Sequence, residues 1–237
     1  MATAAVRPAA DVHRLPYPAR AMNTSNTGPL LRELAQMIFF MLVVRPFMAL
    51  FFGLRVRGRE HLLQSGPFIL VANHSSHLDG VSLLSLFPLT RLRNIRAVAA
   101  ADYFERSMLI AWFTKTFFNI LPIVRQKTPT SGDPCLEMLA ALEAGQSLII
   151  FPEGTRGSGD QMGPFRYGVA KLVEMMPEVP VVPAYLVNMG RCLPKGRCVP
   201  VPLICEIRLG PSRLIHDSRE GIVRTLEAAV RELGGIS

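Results

Sequence analysis

The sequence predicts an α/β fold, in which a single domain with a mixed, largely parallel sheet is flanked by helices. From residue 66 onward, short apolar runs of strand length alternate with longer stretches of helical periodicity. Such alternation favours a parallel sheet that is covered by helices. The chain has 237 residues, of which 49% are hydrophobic, enough to bury the core of one domain. A long apolar segment comes earlier, so an N-terminal apolar helical segment that associates with a membrane is expected as well.

Residues 1–28 are predicted to form a flexible basic arm. They are rich in Ala, Pro, Arg and Asn and contain no continuous apolar stretch, which is typical of a disordered segment and not of a signal peptide. Residues 1–60 carry eight arginines against Asp11, Glu33 and Glu60, and this excess of +5 belongs to a net charge of +8. A basic excess beside an apolar segment favours an anionic lipid surface, and no nucleic-acid partner is predicted because the chain has no motif for one.

The membrane-associating helical segment is predicted at 29–54. Its run 37–54 is apolar except for Arg45, which Pro46 follows directly. A spanning helix needs about 20 apolar residues and a central arginine is costly in hydrocarbon, so a hairpin or an interfacial helix is favoured over a span, with a core helix as the other alternative. Pro46 predicts a kink or the start of a second short helix. Arginines flank the run on both sides, so a location on the cytoplasmic face of the membrane is expected.

The catalytic domain is predicted at 55–237, with a motif-bearing core at 66–187. Bounded apolar runs predict buried strands, and helical periodicity lies between them. The predicted strands are 68–72, 96–99, 147–151, 179–187 and 203–209, and the predicted helices are 78–86, 135–144, 168–176 and 219–233. A further apolar stretch at 107–121 is interpreted as either a core helix or a second membrane contact.

The first polar motif, Asn-His-Ser-Ser-His-Leu-Asp at 73–79, follows a predicted strand. In open α/β sheets, ligands bind beyond the carboxyl ends of the strands. His74 and Asp79 would lie about 140° apart on a continuous helix, so they can meet only if the chain turns near the two serines before the helix begins. If Asp79 accepts one ring N–H, the other nitrogen of His74 can remove a proton from a hydroxyl. A metal site that includes His77 would need further ligands that the sequence does not show, so no metal or other cofactor is predicted.

The second motif, Phe-Pro-Glu-Gly-Thr-Arg at 151–156, also follows a predicted strand. Its proline and Gly154 favour a tight loop, Arg156 can bind a phosphate through two N–H groups, and Thr155 can add a hydroxyl. A carboxylate beside a phosphate would repel it. Glu153 is therefore expected to orient the arginine, to hold a glycerol hydroxyl, or to support the loop.

No nucleophile for a covalent intermediate is evident. The chain has no Gly-x-Ser-x-Gly sequence and no serine or cysteine that is obviously paired with His74, so direct attack by an acceptor hydroxyl is the simpler mechanism. The four cysteines show no Cys-x-x-Cys pair and no zinc spacing, and they are predicted to be reduced thiols. They are Cys135, Cys192, Cys198 and Cys205.

Together these motifs resemble those of the glycerolipid acyltransferases, and in particular the 1-acylglycerol-3-phosphate acyltransferases, over roughly 54–187. Four blocks match in order: 73–79, 118–125, 151–156 and 181–185. The resemblance implies that His74 and Asp79 are the catalytic pair. It implies a role in binding the acceptor for Arg125 in the second block and for Glu153, Gly154 and Arg156 in the third. In the fourth block, it implies that Pro183 helps to line the acyl or acceptor site.

The resemblance also implies the reaction. An acyl group would move from a thioester co-substrate, acyl-CoA or acyl carrier protein, to the free hydroxyl of a lysophospholipid, most often lysophosphatidic acid at sn-2, giving phosphatidic acid. Two alternatives stay open: a different lyso-lipid or aminolipid acceptor, and a non-catalytic membrane lipid-binding protein of the same fold.

Overall fold

A central sheet organises the computed structural model, which describes residues 5–8, 27–101, 108–124, 133–157, 162–193 and 201–236. The strands within these ranges follow the order β1-β9-β7-β3-β6-β4-β5, and β8 pairs with both β7 and β2. The strands are β1 (Ala5–Pro8), β2 (Arg55–Arg57), β3 (Ile69–Ala72), β4 (Ile95–Ala100), β5 (Ile120–Ile123), β6 (Ser147–Ile150), β7 (Val181–Val187), β8 (Glu206–Leu209) and β9 (Arg213–His216).

The middle of the sheet is parallel and one side of it is antiparallel. Strands β5, β4, β6, β3 and β7 pair in parallel with their neighbours, whereas β7 meets β8 and β9 in the antiparallel sense. This arrangement confirms the predicted mixed, largely parallel sheet. The carboxyl ends of β3 and β6, after which the two polar motifs begin, therefore lie side by side.

Helices cover both faces of the sheet. They are α1 (Thr27–Phe39), α2 (Arg45–Phe52), α3 (Leu78–Ser85), α4 (Met108–Phe117), α5 (Pro134–Glu143), α6 (Tyr167–Met175), α7 (Met189–Cys192) and α8 (Arg219–Gly234), with 3-10 turns at Arg59–His61 and Leu89–Asn94. In β3, Leu70 and Ala72 pack with α2 and α3 on one face, while Ile69 and Val71 pack with α5, α6 and α8 on the other. All four side chains are fully buried, which explains why this strand has no polar alternation.

The N-terminal apolar segment is one continuous helix. Helix α1 runs through a π-helical turn, Phe40–Val44, into α2 without leaving helical dihedral angles. The hairpin form of the prediction is therefore wrong. Pro46 occupies the first turn of α2, where its missing N–H is tolerated, and the wider π turn accommodates the junction. Arg45 does not sit unpaired among apolar groups, because its Nη2 donates to the Phe87 carbonyl at 2.6 Å.

One stripe of this helix packs on the domain and the remainder is exposed. The buried stripe repeats every four residues and consists of Gln36, Phe40, Val44, Met48 and Phe52. Large apolar side chains point away from it, including Leu42 and Leu50. By length and composition alone, Leu30–Phe52, with 23 residues and a mean hydropathy of 2.0, could cross a membrane.

The second apolar stretch packs against this helix. The Phe39 ring lies 5.5 Å from that of Phe113 and 4.6 Å from that of Phe117, so α4 and α1 share an aromatic cluster. Trp112 of α4 stays 61% exposed. The stretch does not continue as a helix to 121, because Asn119 adopts a φ of 47° and its side chain donates to the Arg93 and Ile95 carbonyls, and strand β5 follows.

Part of the predicted flexible arm is a strand. Ala5–Pro8 pairs antiparallel with β9, from Ala5 opposite His216 to Pro8 opposite Arg213. The prediction of an unstructured arm is wrong for these residues because edge pairing uses backbone groups and needs no apolar side chains. Residues 1–4 and 9–26 of the arm lie outside the described residues.

Candidate active site

The first motif is fixed where it leaves β3. Asn73 is buried and bonds the neighbouring strand β7 twice, donating to the Leu186 carbonyl at 3.1 Å and accepting from the Leu186 N–H at 2.7 Å. The chain then turns, and α3 begins only at Leu78. The Ser76 hydroxyl accepts the Leu78 N–H at 3.3 Å. The spacing of His74 and Asp79 predicted a turn at this place, before the helix begins.

Asp79 points back from the first turn of α3 into this bend. Its Oδ2 accepts the backbone N–H groups of Ser75 at 2.7 Å and Ser76 at 2.9 Å, and it lies 2.9 Å from His74 Nδ1. The residue is fully buried, whereas the side chain of His74 is 21% exposed. If the carboxylate is ionised, it only accepts, so Nδ1 would carry the hydrogen and Nε2 would keep a lone pair. A general base needs such a lone pair.

The second motif holds the first in place. The Phe151 ring stacks on the His74 ring, with centroids 4.3 Å apart and planes 20° from parallel. Glu153 Oε1 accepts the His74 N–H at 2.7 Å, and the Gly157 N–H donates to the His74 carbonyl at 2.9 Å. The two motifs, far apart in sequence, therefore form one continuous site.

Glu153 is a buried bridge between loops. Its second oxygen, Oε2, accepts the Gly163 N–H at 2.8 Å, so each oxygen binds one backbone group. Burial raises the pKa of Glu153, while the N–H groups of Gly163 and His74 act in the opposite direction. These contacts match the role of supporting the loop, one of the three considered. Its implied role in acceptor binding stays a prediction.

The end of the second motif is less buried than its middle. Gly154 has a φ of 71°, and a Cβ there would meet Arg166 Nε at 3.0 Å, so glycine suits this position for two reasons. Thr155 is exposed and Arg156 is half-buried. Among the described residues, Arg156 has no carboxylate partner.

Arg156 lies near the first motif, because the next residue, Gly157, bonds the His74 carbonyl. Partial burial of the His77 ring lowers the pKa of His77, and the positive charge of Arg156 lowers it further. Position 156 therefore lies on the same side of the molecule as the His74–Asp79 pair, as the two motifs had predicted.

The structure does not show the other two predicted site residues, Pro183 and Arg125, beside His74 and Asp79. Pro183 is buried within β7, and a Cβ at Gly210 would come within 2.9 Å of its Cγ and 3.3 Å of Leu233 Cδ1, so its ring faces α8. Its role in the acyl or acceptor site stays a prediction. Arg125 lies outside the described residues, just beyond the end of β5.

The structure adds site residues that sequence reasoning did not single out. Phe151 supports the imidazole ring, and Asn73 fixes the start of the catalytic turn. Both are the first residues of the two motifs, and this position was the only indication in the sequence that they belong to the site. What the motifs did not reveal is that Phe151 and Glu153 touch His74 directly, because those contacts exist only once β3 and β6 are neighbours.

Removing the charge of Arg156 tests this placement. We expect Arg156→Gln to raise the pKa of His77, because a positive charge near an imidazole disfavours the imidazolium ion. An NMR titration of the histidine ring protons measures the shift. Arg224→Gln, which removes an exposed charge on α8, is the control and should leave the titration unchanged. An unchanged His77 titration in Arg156→Gln would mean that the two groups do not share a cleft.

Fold and site together define an α/β protein in which a bonded histidine and aspartate and the loop that follows β6 meet at the carboxyl edge of a parallel sheet. The family model described as Acyltransferase matches residues 53–187. The chain belongs to this acyltransferase family, as the motifs indicated.

Curated relatives carry more specific names. A chloroplastic 1-acyl-sn-glycerol-3-phosphate acyltransferase of Brassica napus is 30% identical over 147 residues, which are 62% of this chain and 40% of that protein. The human 1-acyl-sn-glycerol-3-phosphate acyltransferase alpha is 31% identical over 145 residues, 56% of this chain and 45% of that protein. The chain thus spans less than half the length of either relative.

A solved structure shares the fold. The 1-acyl-sn-glycerophosphate acyltransferase PlsC from Thermotoga maritima superposes with a TM-score of 0.69 at 22% identity, covering 88% of this chain and 82% of that chain. At this level of identity, the likeness concerns the fold alone.

Proposed function

We propose that this protein transfers a fatty acyl group from an acyl thioester to the free hydroxyl of a lysophospholipid, and that the acceptor is lysophosphatidic acid, acylated at sn-2 to phosphatidic acid. The observation that carries the proposal is the imidazole of His74, oriented by buried Asp79 at 2.9 Å and joined through Phe151 and Glu153 to the loop of Arg156. The names of the curated relatives support the same acceptor.

The reaction follows from the geometry of the imidazole. His74 Nε2 removes the proton of the acceptor hydroxyl while that oxygen attacks the thioester carbonyl. The tetrahedral intermediate then collapses, the ester forms, and the leaving thiolate takes the proton from the imidazolium. Asp79 stabilises the charge that the ring carries between these steps. Acyl-CoA or acyl carrier protein serves as the donor and is consumed as a co-substrate, and no resident cofactor takes part.

Transfer proceeds without an acyl-enzyme. In the part of the chain that the structure describes, no serine hydroxyl or cysteine thiol bonds the His74 ring. The ring of His74, which is 21% exposed, is instead accessible to a hydroxyl that arrives from outside. Arg156 lies in the loop that bonds His74 through Gly157, and it supplies a guanidinium that can bind the phosphate of the acceptor through two N–H groups.

An assay with a panel of lysolipids tests the acceptor. Purified protein is offered lysophosphatidic acid or lysolipids without a phosphate monoester, each with acyl-CoA and with acyl carrier protein. We expect turnover of lysophosphatidic acid, and Arg156→Lys should raise KM for it about tenfold with less effect on kcat, because lysine lacks the bidentate fork. Equal use of acceptors without the phosphate monoester would contradict the role of Arg156. No thioester-dependent product from any acceptor would favour a lipid-binding protein.

The protein acts at a membrane surface, on the cytoplasmic face, in this proposal. The exposed apolar side of the N-terminal helix continues onto α4, where Trp112 is 61% exposed, and Arg55 and Arg57 lie near the end of the helix. Apolar side chains flanked by arginines suit an interfacial location on anionic lipid. A lysophospholipid in the cytoplasmic leaflet of the bilayer would then be within reach of the site.

Charges placed on the apolar face should release the protein from lipid. We expect Leu42→Glu combined with Leu50→Glu to reduce sedimentation with vesicles that contain phosphatidylglycerol, because these side chains are 63% and 84% exposed. Leu136→Glu is the matched control, since Leu136 is 55% exposed on α5, across the sheet. Equal loss in the control, or unchanged binding of the double variant, would contradict this orientation.

A further inference from the structure

Two buried thiols touch beside the site without a role in the proposed reaction. Cys192 is the last residue of α7 and Cys205 directly precedes β8. Both are fully buried, and their sulfur atoms lie 2.9 Å apart. A disulfide has an S–S distance of about 2.05 Å, so less than about 1 Å of movement separates this contact from a covalent bond.

The neighbours of the two cysteines are tied to other parts of the domain by backbone hydrogen bonds. The Val201 N–H donates to the Cys192 carbonyl at 2.7 Å. The Leu193 carbonyl accepts the Ser76 hydroxyl at 3.2 Å. The Cys205 N–H donates to the Phe52 carbonyl at 2.9 Å and the Arg55 N–H donates to the Cys205 carbonyl at 2.9 Å.

We propose that Cys192 and Cys205 form an oxidation site, in which a peroxide converts the two thiols into a disulfide that joins the end of α7 to the start of β8. Cys135, Cys192 and Cys205 are free thiols in the structure, as the sequence predicted, and two of them are in contact. The spacing of 13 residues resembles no redox motif, so only the fold reveals the pair.

The chemistry balances with one equivalent of hydrogen peroxide. One thiol of the pair loses its proton, its sulfur attacks a peroxide oxygen, and the O–O bond breaks. The departing hydroxide takes up that proton, so the products are a sulfenic acid and water. The second sulfur then attacks the sulfenic sulfur, the S–O bond breaks, and the hydroxide leaves as a second water with the proton of the second thiol. Two thiols lose two electrons and two protons, and the peroxide is reduced to two waters.

The environment of the pair makes its oxidation slow. Burial raises the pKa of the Cys205 thiol, and its contacts with Cys192 and the negative charge of Asp79 add to this effect. Because both sulfur atoms are shielded from solvent, the oxidant must also be small. Once one thiol is oxidised, its neighbour at contact distance resolves it before further oxidation.

Mass spectrometry of the intact full-length protein tests the proposal. Treatment with a small excess of hydrogen peroxide should lower the mass by the two hydrogens of one disulfide, and dithiothreitol should reverse this change. Trypsin cleaves after Arg191 and Arg197, so Cys198 and Cys205 share one peptide. The digest is therefore repeated with Cys198→Ser, in which the same cross-link must still form.

A thermal melt provides a second, independent measurement. Closing a loop of this length should raise Tm by about 5 to 10 °C in the oxidised protein. Cys205→Ala should show neither the cross-link nor the rise, while Cys135→Ala, which removes another buried thiol, should show both. Oxidation to sulfinic acids without a cross-link, a cross-link that disappears in Cys198→Ser, or a cross-link without a rise in Tm would each overturn the proposal.

Discussion

His74→Ala is expected to lower kcat for acyl transfer by about 10²- to 10⁴-fold while the protein stays folded. The reason is that Nε2 of this ring is the base of the proposed reaction, held by Asp79 at 2.9 Å. The ring is partly exposed and rests on Phe151, so its removal should disturb packing little. The Glu153 bridge is unaffected because it binds the backbone N–H of position 74. Steady-state kinetics with lysophosphatidic acid and acyl-CoA measure the loss, and circular dichroism measures the fold.

His77→Ala is the matched comparison for this variant. His77 lies three residues further along the chain, directly before α3, and is not a member of the proposed His74–Asp79 pair. We expect kcat within a few-fold of the unaltered protein. Normal turnover by a folded His74→Ala protein would remove His74 from the mechanism. An equally large loss in both variants would instead favour a role that the two histidines share, such as binding a metal.

The core of the fold was predictable because its strands are buried on both faces. The run at 68–72 contains only apolar side chains, and it becomes β3, the strand that carries the first motif. A turn before α3 was also predictable, since His74 and Asp79 cannot meet on a continuous helix. In both cases, the local sequence alone imposes the geometry.

The edge strands were not predictable, because their pairing depends on backbone groups supplied by distant parts of the chain. Strand β1 has the sequence Ala-Val-Arg-Pro, which carries no strand pattern and is ordered by β9. The continuous N-terminal helix has a similar cause. In the sequence, Arg45 and Pro46 indicate a break, whereas in the fold the Phe87 carbonyl accepts a hydrogen bond from the Arg45 guanidinium. Tertiary partners overrode the local signal at both places.

Within the site, sequence identified the residues but not all of their contacts. Arg156 lies near the first motif because β3 and β6 are neighbours. The predicted parallel sheet already implied that the two motifs would meet at one edge. The two backbone bonds of Glu153 depend on the path of the loop to Gly163, which no motif encodes. The sequence therefore indicates which kinds of side chain form the site, whereas only the fold shows which groups a buried carboxylate binds.

Asp79→Asn is expected to lower kcat by on the order of 10²- to 10⁴-fold while keeping the turn intact. Three N–H donors converge on Oδ2, so the amide oxygen must occupy that position, where it still accepts from Ser75 and Ser76. The amide nitrogen then takes the place of Oδ1, which is buried and has no hydrogen-bond partner among the described residues. The ring of His74 stays oriented, but the negative charge that stabilises its imidazolium form is lost.

Asp79→Ala separates charge from geometry in this comparison. It removes the acceptor of two backbone N–H groups as well as the charge, and each buried donor left unpaired costs about 1 to 3 kcal/mol of unfolding free energy. We therefore expect a lower Tm in Asp79→Ala than in Asp79→Asn, with kcat reduced in both. Denaturant unfolding and steady-state kinetics on the same preparations measure the two effects. If Asp79→Asn kept a normal kcat while Asp79→Ala lost it together with its stability, the carboxylate would serve the turn alone, and His74 would act as a base without the help of its charge.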